Sequence, residues 1–189
     1  MRPLIAAAAL IAAIALTACG NGSGAANPDS KLTAEQATEP IPGAPPQLAA
    51  IRAQGSQILD GGTDAFNARL AELKGTPVVV NQWGSWCGPC RLEFPVLQAV
   101  ATKEGSSIAF LGVLSDDSKD AAGEFLSELP LPYPSYDDPD KKIGSELKAQ
   151  AGLPTTSFYD PSGKLVFTKF GPYTEESQLT ADIQKYAEG

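Results

Sequence analysis

Val78-Val79-Val80-Asn81-Gln82-Trp83-Gly84-Ser85-Trp86-Cys87-Gly88-Pro89-Cys90 is the stretch from which the rest of the chain can be read. Three consecutive valines predict a strand buried on both faces, at the centre of a sheet covered by helices. Gly84-Ser85 ends the strand. Leu92, Phe94, Val96, Leu97 and Val100 then predict a helix reaching about Lys103, with Pro95 inside it. Cys87 and Cys90 therefore sit on the connection leaving the carboxyl end of a central strand, where open α/β sheets place their sites. Free N–H groups and the dipole at a helix N-terminus favour a thiolate, the species that attacks disulfides. Cys87 is expected to be the exposed nucleophile, and Cys90, one turn further in, the resolving thiol. Trp86, Gly88 and Pro89 form the loop around them. Pro89 suits a first helical turn because it has no amide hydrogen to leave unpaired.

The 189 residues contain three cysteines, Cys19, Cys87 and Cys90, and no histidine. Without histidine, Ser/His and Cys/His catalysis and histidine ligation of zinc or haem are excluded. A Cys-x-x-Cys pair can be a redox dithiol, half of a zinc site or a structural disulfide. Zinc would need two more ligands of a kind the sequence does not supply. A structural disulfide closing so short a loop constrains the unfolded chain little. No metal and no cofactor are therefore expected. A net charge of −8 also argues against a nucleic-acid surface, which needs Lys and Arg to meet phosphate.

The odd cysteine has its own context. Met1-Arg2 is followed by an apolar, alanine-rich run from Pro3 to Leu16, too short for a comfortable membrane span. The run ends in Leu16-Thr17-Ala18-Cys19-Gly20, which resembles a bacterial lipoprotein processing site. The expectation is a signal peptide over 1–18, a lipidated Cys19 opening a flexible tether over 19–46, and a folded domain over 47–189. The simpler alternative is an ordinary signal peptide followed by a free cysteine. Gly20 to Pro46 is rich in Gly, Ala, Asn, Ser and Pro, a composition that buries little apolar surface.

Residues 79–95 resemble the active-site segment of the thioredoxin superfamily. Within them, Asn81 placed six residues before Cys87 and the continuation Cys90-Arg91-Leu92-Glu93-Phe94-Pro95 resemble the membrane-tethered TlpA/ResA-like redoxins. The resemblance implies a thioredoxin-like α/β fold: a central mixed sheet with helices on both faces, plus the extra central segment of that branch. Two departures stand out. Gln82 occupies a commonly aromatic position, and Asn81 stands where cytoplasmic thioredoxins carry a buried Asp. Asn cannot titrate, so Glu93 joins Asn81 as a candidate for proton handling, facing either solvent or the pair. On its residues alone, Leu153-Pro154-Thr155-Thr156 fits an ordinary trans proline. The resemblance instead implies a cis Pro154 beside the cysteines, with Leu153 offering its backbone to substrate.

Elsewhere, periodicity predicts a helix capped by Thr63, a strand over 107–114 and a helix from Ser118 to Leu129. A very short edge strand over 135–137 and a helix over about 140–149 follow. Strands at 157–159 and 164–170 flank the hairpin signal Asp160-Pro161-Ser162-Gly163, and a helix over 174–187 closes the domain. Residues 47–60 read as a short strand or edge element. The resemblance implies protein thiol-disulfide exchange on the extracytoplasmic side of the cell membrane. Its partners would be protein disulfides or dithiols, apocytochrome c possible among them, and a membrane electron donor. Reduction is the favoured direction. A disulfide-forming oxidant, a thiol peroxidase and a redox-inert binding lipoprotein are the alternatives.

Overall fold

A computed structural model describes residues 32–188. The expected signal peptide and Cys19 lie outside the described residues. Six strands form one sheet in the order β1-β4-β3-β2-β5-β6. They are β1 (Ile58–Leu59), β2 (Val78–Trp83), β3 (Ala109–Ser115), β4 (Ser135–Asp138), β5 (Thr155–Tyr159) and β6 (Leu165–Phe170). β1, β4, β3 and β2 run parallel, β5 is antiparallel to β2, and β6 is antiparallel to β5. The sheet is thus mixed and thioredoxin-like, as the resemblance implies. Its helices are α1 (Ala34–Thr38), α2 (Pro46–Ala53), α3 (Gly62–Glu72), α4 (Gly88–Glu104), α5 (Lys119–Glu128), α6 (Lys142–Glu146) and α7 (Glu176–Asp182). α7 runs on into a π-helical turn, Ile183–Ala187.

Every residue of β2 is buried, as the valine run predicts for a strand with neighbours on both sides and helices above and below. Aromatic packing seats α4 on that strand. Phe94 meets the Trp83 ring edge-on at 5.2 Å, Phe125 of α5 stacks on Trp83 at 5.4 Å, and Phe94 and Phe125 meet at 4.9 Å. Such pairs add about 0.5–1.5 kcal/mol each beyond their buried area. The Trp83 indole N–H donates to Ser135 Oγ at 2.9 Å, which ties β2 to β4 across the intervening β3. Gly112 of β3 makes this possible. A Cβ there would lie 2.1 Å from Ser135 Oγ.

Several boundaries differ from expectation. Folded structure begins before residue 47: α1 carries a capping box between Thr33 and Gln36, and Ala37 is fully buried. Arg52 of α2 holds this segment by donating to the carbonyls of Glu39 and Gln36. The proline-rich composition hid these contacts because they are made to a distant helix. Residues 47–60 supply most of α2 as well as the edge strand β1. Thr63 lies inside α3, whose N-cap is the left-handed Gly61. β4 is an interior strand between β1 and β3 rather than an edge, and α6 is a short helix of 5 residues. Ser118 caps α5 as expected, accepting from the Ala121 N–H.

Candidate redox site

The sheet ends β2 at Trp83, and Cys87 is the N-cap of α4. Cys87 and Cys90 are joined as a disulfide with Cα atoms 5.3 Å apart. The Cys90 N–H is shared between the Cys87 carbonyl at 3.1 Å and Cys87 Sγ at 3.2 Å, so a donor of the helix's first turn is aimed at the sulfur. That donor and the helix dipole favour a thiolate at Cys87 in the reduced form. Cys87 is 4% exposed and Cys90 fully buried. Cys90 is the more covered of the two, but Cys87, expected to be exposed, is itself buried in this disulfide form.

Trp86 covers that loop. It is 61% exposed, and its indole N–H donates to the Asp116 carbonyl at 3.1 Å. Asp117 accepts from the Ser85 N–H, and Asp116 pairs with Lys141 at 2.7 Å. The β3–α5 loop thus braces the cysteine loop on the side of β3. Trp86 packs so close over Gly84 that a Cβ there would meet its indole nitrogen at 2.9 Å. Gly88 and Pro89 are exposed at the helix start. On the other side, the Leu153–Pro154 bond is cis. Pro154 is buried and Leu153 half-buried.

Glu93 does not face solvent. It is fully buried on the inner side of α4. Asn81 Nδ2 donates to Glu93 Oε1 at 2.7 Å, and the Tyr173 N–H donates to Oε2 at 3.3 Å. Burial pushes the Glu93 carboxyl up to about 7, against the opposing pull of the Asn81 and Tyr173 donors and the Lys169 charge. A carboxyl with that value gives up or takes a proton near neutrality, which an Asn cannot do. Asn81 and Glu93 are thus joined as one buried hydrogen-bonded pair. On the opposite face, Gln82 donates to Ser115 Oγ at 2.8 Å and accepts from Thr155 Oγ1 at 3.2 Å. This bonding explains how a polar residue occupies a position that the resemblance marks as aromatic.

The redoxin family model matches residues 36–183. The chain belongs to the redoxin family. It is 38% identical over 99 residues to the thiol:disulfide interchange protein HelX of Rhodobacter capsulatus, covering 52% of this chain and 54% of that one. It is 30% identical over 132 residues to the thiol-disulfide oxidoreductase ResA of Bacillus subtilis, covering 64% and 73% respectively. The chain thus spans about half the length of the first relative and nearly three quarters of the second. Among solved structures, the exposed lipoprotein thioredoxin Etrx1 of Streptococcus pneumoniae superposes with a TM-score of 0.55 at 25% identity. That superposition covers 61% of this chain and 89% of the other.

The redoxin's site includes residues that periodicity did not single out. Tyr173 reaches Glu93 from beyond β6, Lys169 of β6 adds a positive charge to its surroundings, and Asp116 and Asp117 brace the loop. Asp116-Asp117-Ser118 reads locally as a solvated turn, and its bonds to Ser85 and Trp86 span 32 and 30 residues. The left-handed φ of 54° at Asp116 was the one local peculiarity, and a sequence does not display it.

Proposed function

We propose that this redoxin is a protein thiol-disulfide oxidoreductase, anchored by lipid at Cys19, that reduces protein disulfides on the extracytoplasmic side of the membrane. The observation that carries the reading is the Cys87–Cys90 disulfide on the N-cap of α4 with an acid, Glu93, buried behind it. In the reduced protein, the Cys87 thiolate attacks one sulfur of a substrate disulfide. The substrate S–S bond breaks, a substrate thiolate leaves, and a mixed disulfide forms through Cys87. Cys90 then gives its proton to Glu93, and the resulting thiolate attacks Cys87 Sγ. The second substrate thiolate leaves and Cys87–Cys90 closes, so two electrons have passed to the substrate. A membrane dithiol protein must return those two electrons for the next cycle. Trp86, Gly88, Pro89, Leu153 and Pro154 surround the approach to Cys87 and make the substrate contact.

Cys19 in Leu-Thr-Ala-Cys-Gly supports the anchor, as does the likeness to Etrx1, an exposed lipoprotein. Among the described residues, no helix is long and apolar enough to cross a membrane. The domain itself begins by the low thirties, so the tether between lipid and fold is proposed to be short. Trapping in cells tests the reading. Cys90→Ala should accumulate mixed disulfides through Cys87 in the membrane fraction, and Cys19→Ala should move the protein out of that fraction. In the wild-type protein, acid quenching and alkylation should find the pair mostly reduced. A mostly oxidised pair would reverse the direction and make the protein a disulfide-forming oxidant. Adducts trapped through Cys90 but never through Cys87 would overturn the assignment of the nucleophile.

A further inference from the structure

The turn after β6 joins three parts of the site. The Gly171 N–H donates to the Pro154 carbonyl at 2.9 Å, and the Tyr173 N–H donates to Glu93 Oε2 at 3.3 Å. The carbonyls of Gly171 and Pro172 both accept from Lys169 Nζ, at 2.9 and 3.1 Å. The same ammonium lies 4.4 Å from the centre of the Tyr173 ring. One side chain therefore clamps the turn whose amides hold both the acid and the cis proline.

The sheet register supplies a second connection. Asn81 pairs with Thr156, and Thr156 pairs with Lys169. Paired residues on neighbouring antiparallel strands share a face. Asn81, Thr156 and Lys169 thus form one polar rung across β2, β5 and β6, with Glu93 bonded at the Asn81 end. Asn81 Oδ1 and Thr156 Oγ1 are buried on this rung without a hydrogen-bond partner in the protein. A run of apolar side chains would have been cheaper to bury here, so the polarity needs a reason.

We propose that Lys169 is a positioning residue of the redox centre. It sets the charge of Glu93 by clamping the Gly171–Tyr173 turn and by placing a cation at the far end of the Asn81–Thr156–Lys169 rung. This inference rests on the reading of Glu93 as the proton acceptor for Cys90. The titratable and charged groups facing Glu93 come from every packed element. They are Lys169 on β6, Tyr133 before β4 and Tyr173 after β6. Tyr173 in turn donates to Asp182 on α7 at 2.6 Å. Burial pushes both tyrosines up and keeps them neutral. Lys169 is the cation of the set, and its charge lowers Glu93 from where burial alone would leave it.

The experiment is a side-chain carboxyl NMR titration of Glu93 in the oxidised protein, for wild type, Lys169→Met and Lys169→Arg. Met keeps the apolar stem and removes the charge and donors. Its Glu93 midpoint should rise by about one pH unit, while Arg should hold it near the wild-type value. Lys169→Gln gives the same comparison if Met disturbs the turn. In exchange assays, the pH profile of mixed-disulfide resolution should move with the midpoint, and the shift should vanish in a Glu93→Gln background. An unchanged Glu93 midpoint in a folded Lys169→Met protein overturns the proposal. So does a pH-profile shift of equal size with Glu93 already replaced. The titration uses no substrate, so its result stands apart from whether the exchange reaction itself is confirmed.

Discussion

Glu93→Gln offers a test whose size follows from the structure. The carboxyl is fully buried and pushed up to about 7, against a value of 4.5 for an unhindered glutamate. A folded-state value above the unfolded one makes the unfolded chain the better acid between those limits. The stabilising effect of the bound proton is complete below about pH 4.5 and is lost as pH rises through 7. Linkage puts the loss between pH 5 and pH 8 at roughly 2–3 kcal/mol. The chain has no histidine to titrate in that window, which leaves the slope easy to assign. With the pair kept as a disulfide, urea unfolding of the wild type should show a midpoint about 1–2 M lower at pH 8 than at pH 5. Gln cannot ionise, so the variant should give nearly the same midpoint at both values. Its absolute stability at pH 5 should fall by about 1–3 kcal/mol, because its NH2 group meets either the Asn81 or the Tyr173 donor. A variant that keeps the wild-type slope, or a wild type with none, would refute the assignment of Glu93 as the buried acid.

Trp86→Ala removes an exposed ring whose one hydrogen bond is to the Asp116 carbonyl. Stability should change by less than about 0.5–1 kcal/mol, while kcat/KM for a protein disulfide should fall about tenfold, or about 1.4 kcal/mol in the transition state. Equal turnover by the variant would remove Trp86 from the substrate contact. Gly112→Ala places a methyl 2.1 Å from Ser135 Oγ and pushes apart β3 and β4 beneath Trp83. It should cost about 2–3 kcal/mol in chemical denaturation. A loss under about half a kcal/mol would mean that the close approach is not maintained in solution.

Some of this site was legible because the signals were local. The Val78–Trp83 run, the Cys-x-x-Cys that follows and the apolar set of α4 lie within 27 residues, from Val78 to Glu104. Backbone periodicity and turn chemistry act over that range. Ser118 was readable as a cap for the same reason: its hydroxyl reaches an amide three residues away. β4 was misplaced at an edge because Ser135-Tyr136-Asp137 shows no long apolar run. Its burial comes instead from β1 and β3, which pair with it from either side.

What the chain determined by itself was the chemistry at the end of β2: a dithiol at a helix N-terminus in a protein without histidine. The order of the pair follows from helix geometry, since the first cysteine meets the free N–H groups and the second lies a turn inside. Whether Glu93 faces solvent or the interior was decided only in three dimensions. Asn81 is 12 residues from it and Tyr173 is 80, and the two meet on either side of its carboxylate. Sheet register brings Lys169 onto the same rung, and the turn it clamps completes the acid's surroundings. A carboxyl's proton affinity depends on its burial and on the donors around it, and those are properties of packing between strands and helices far apart in sequence.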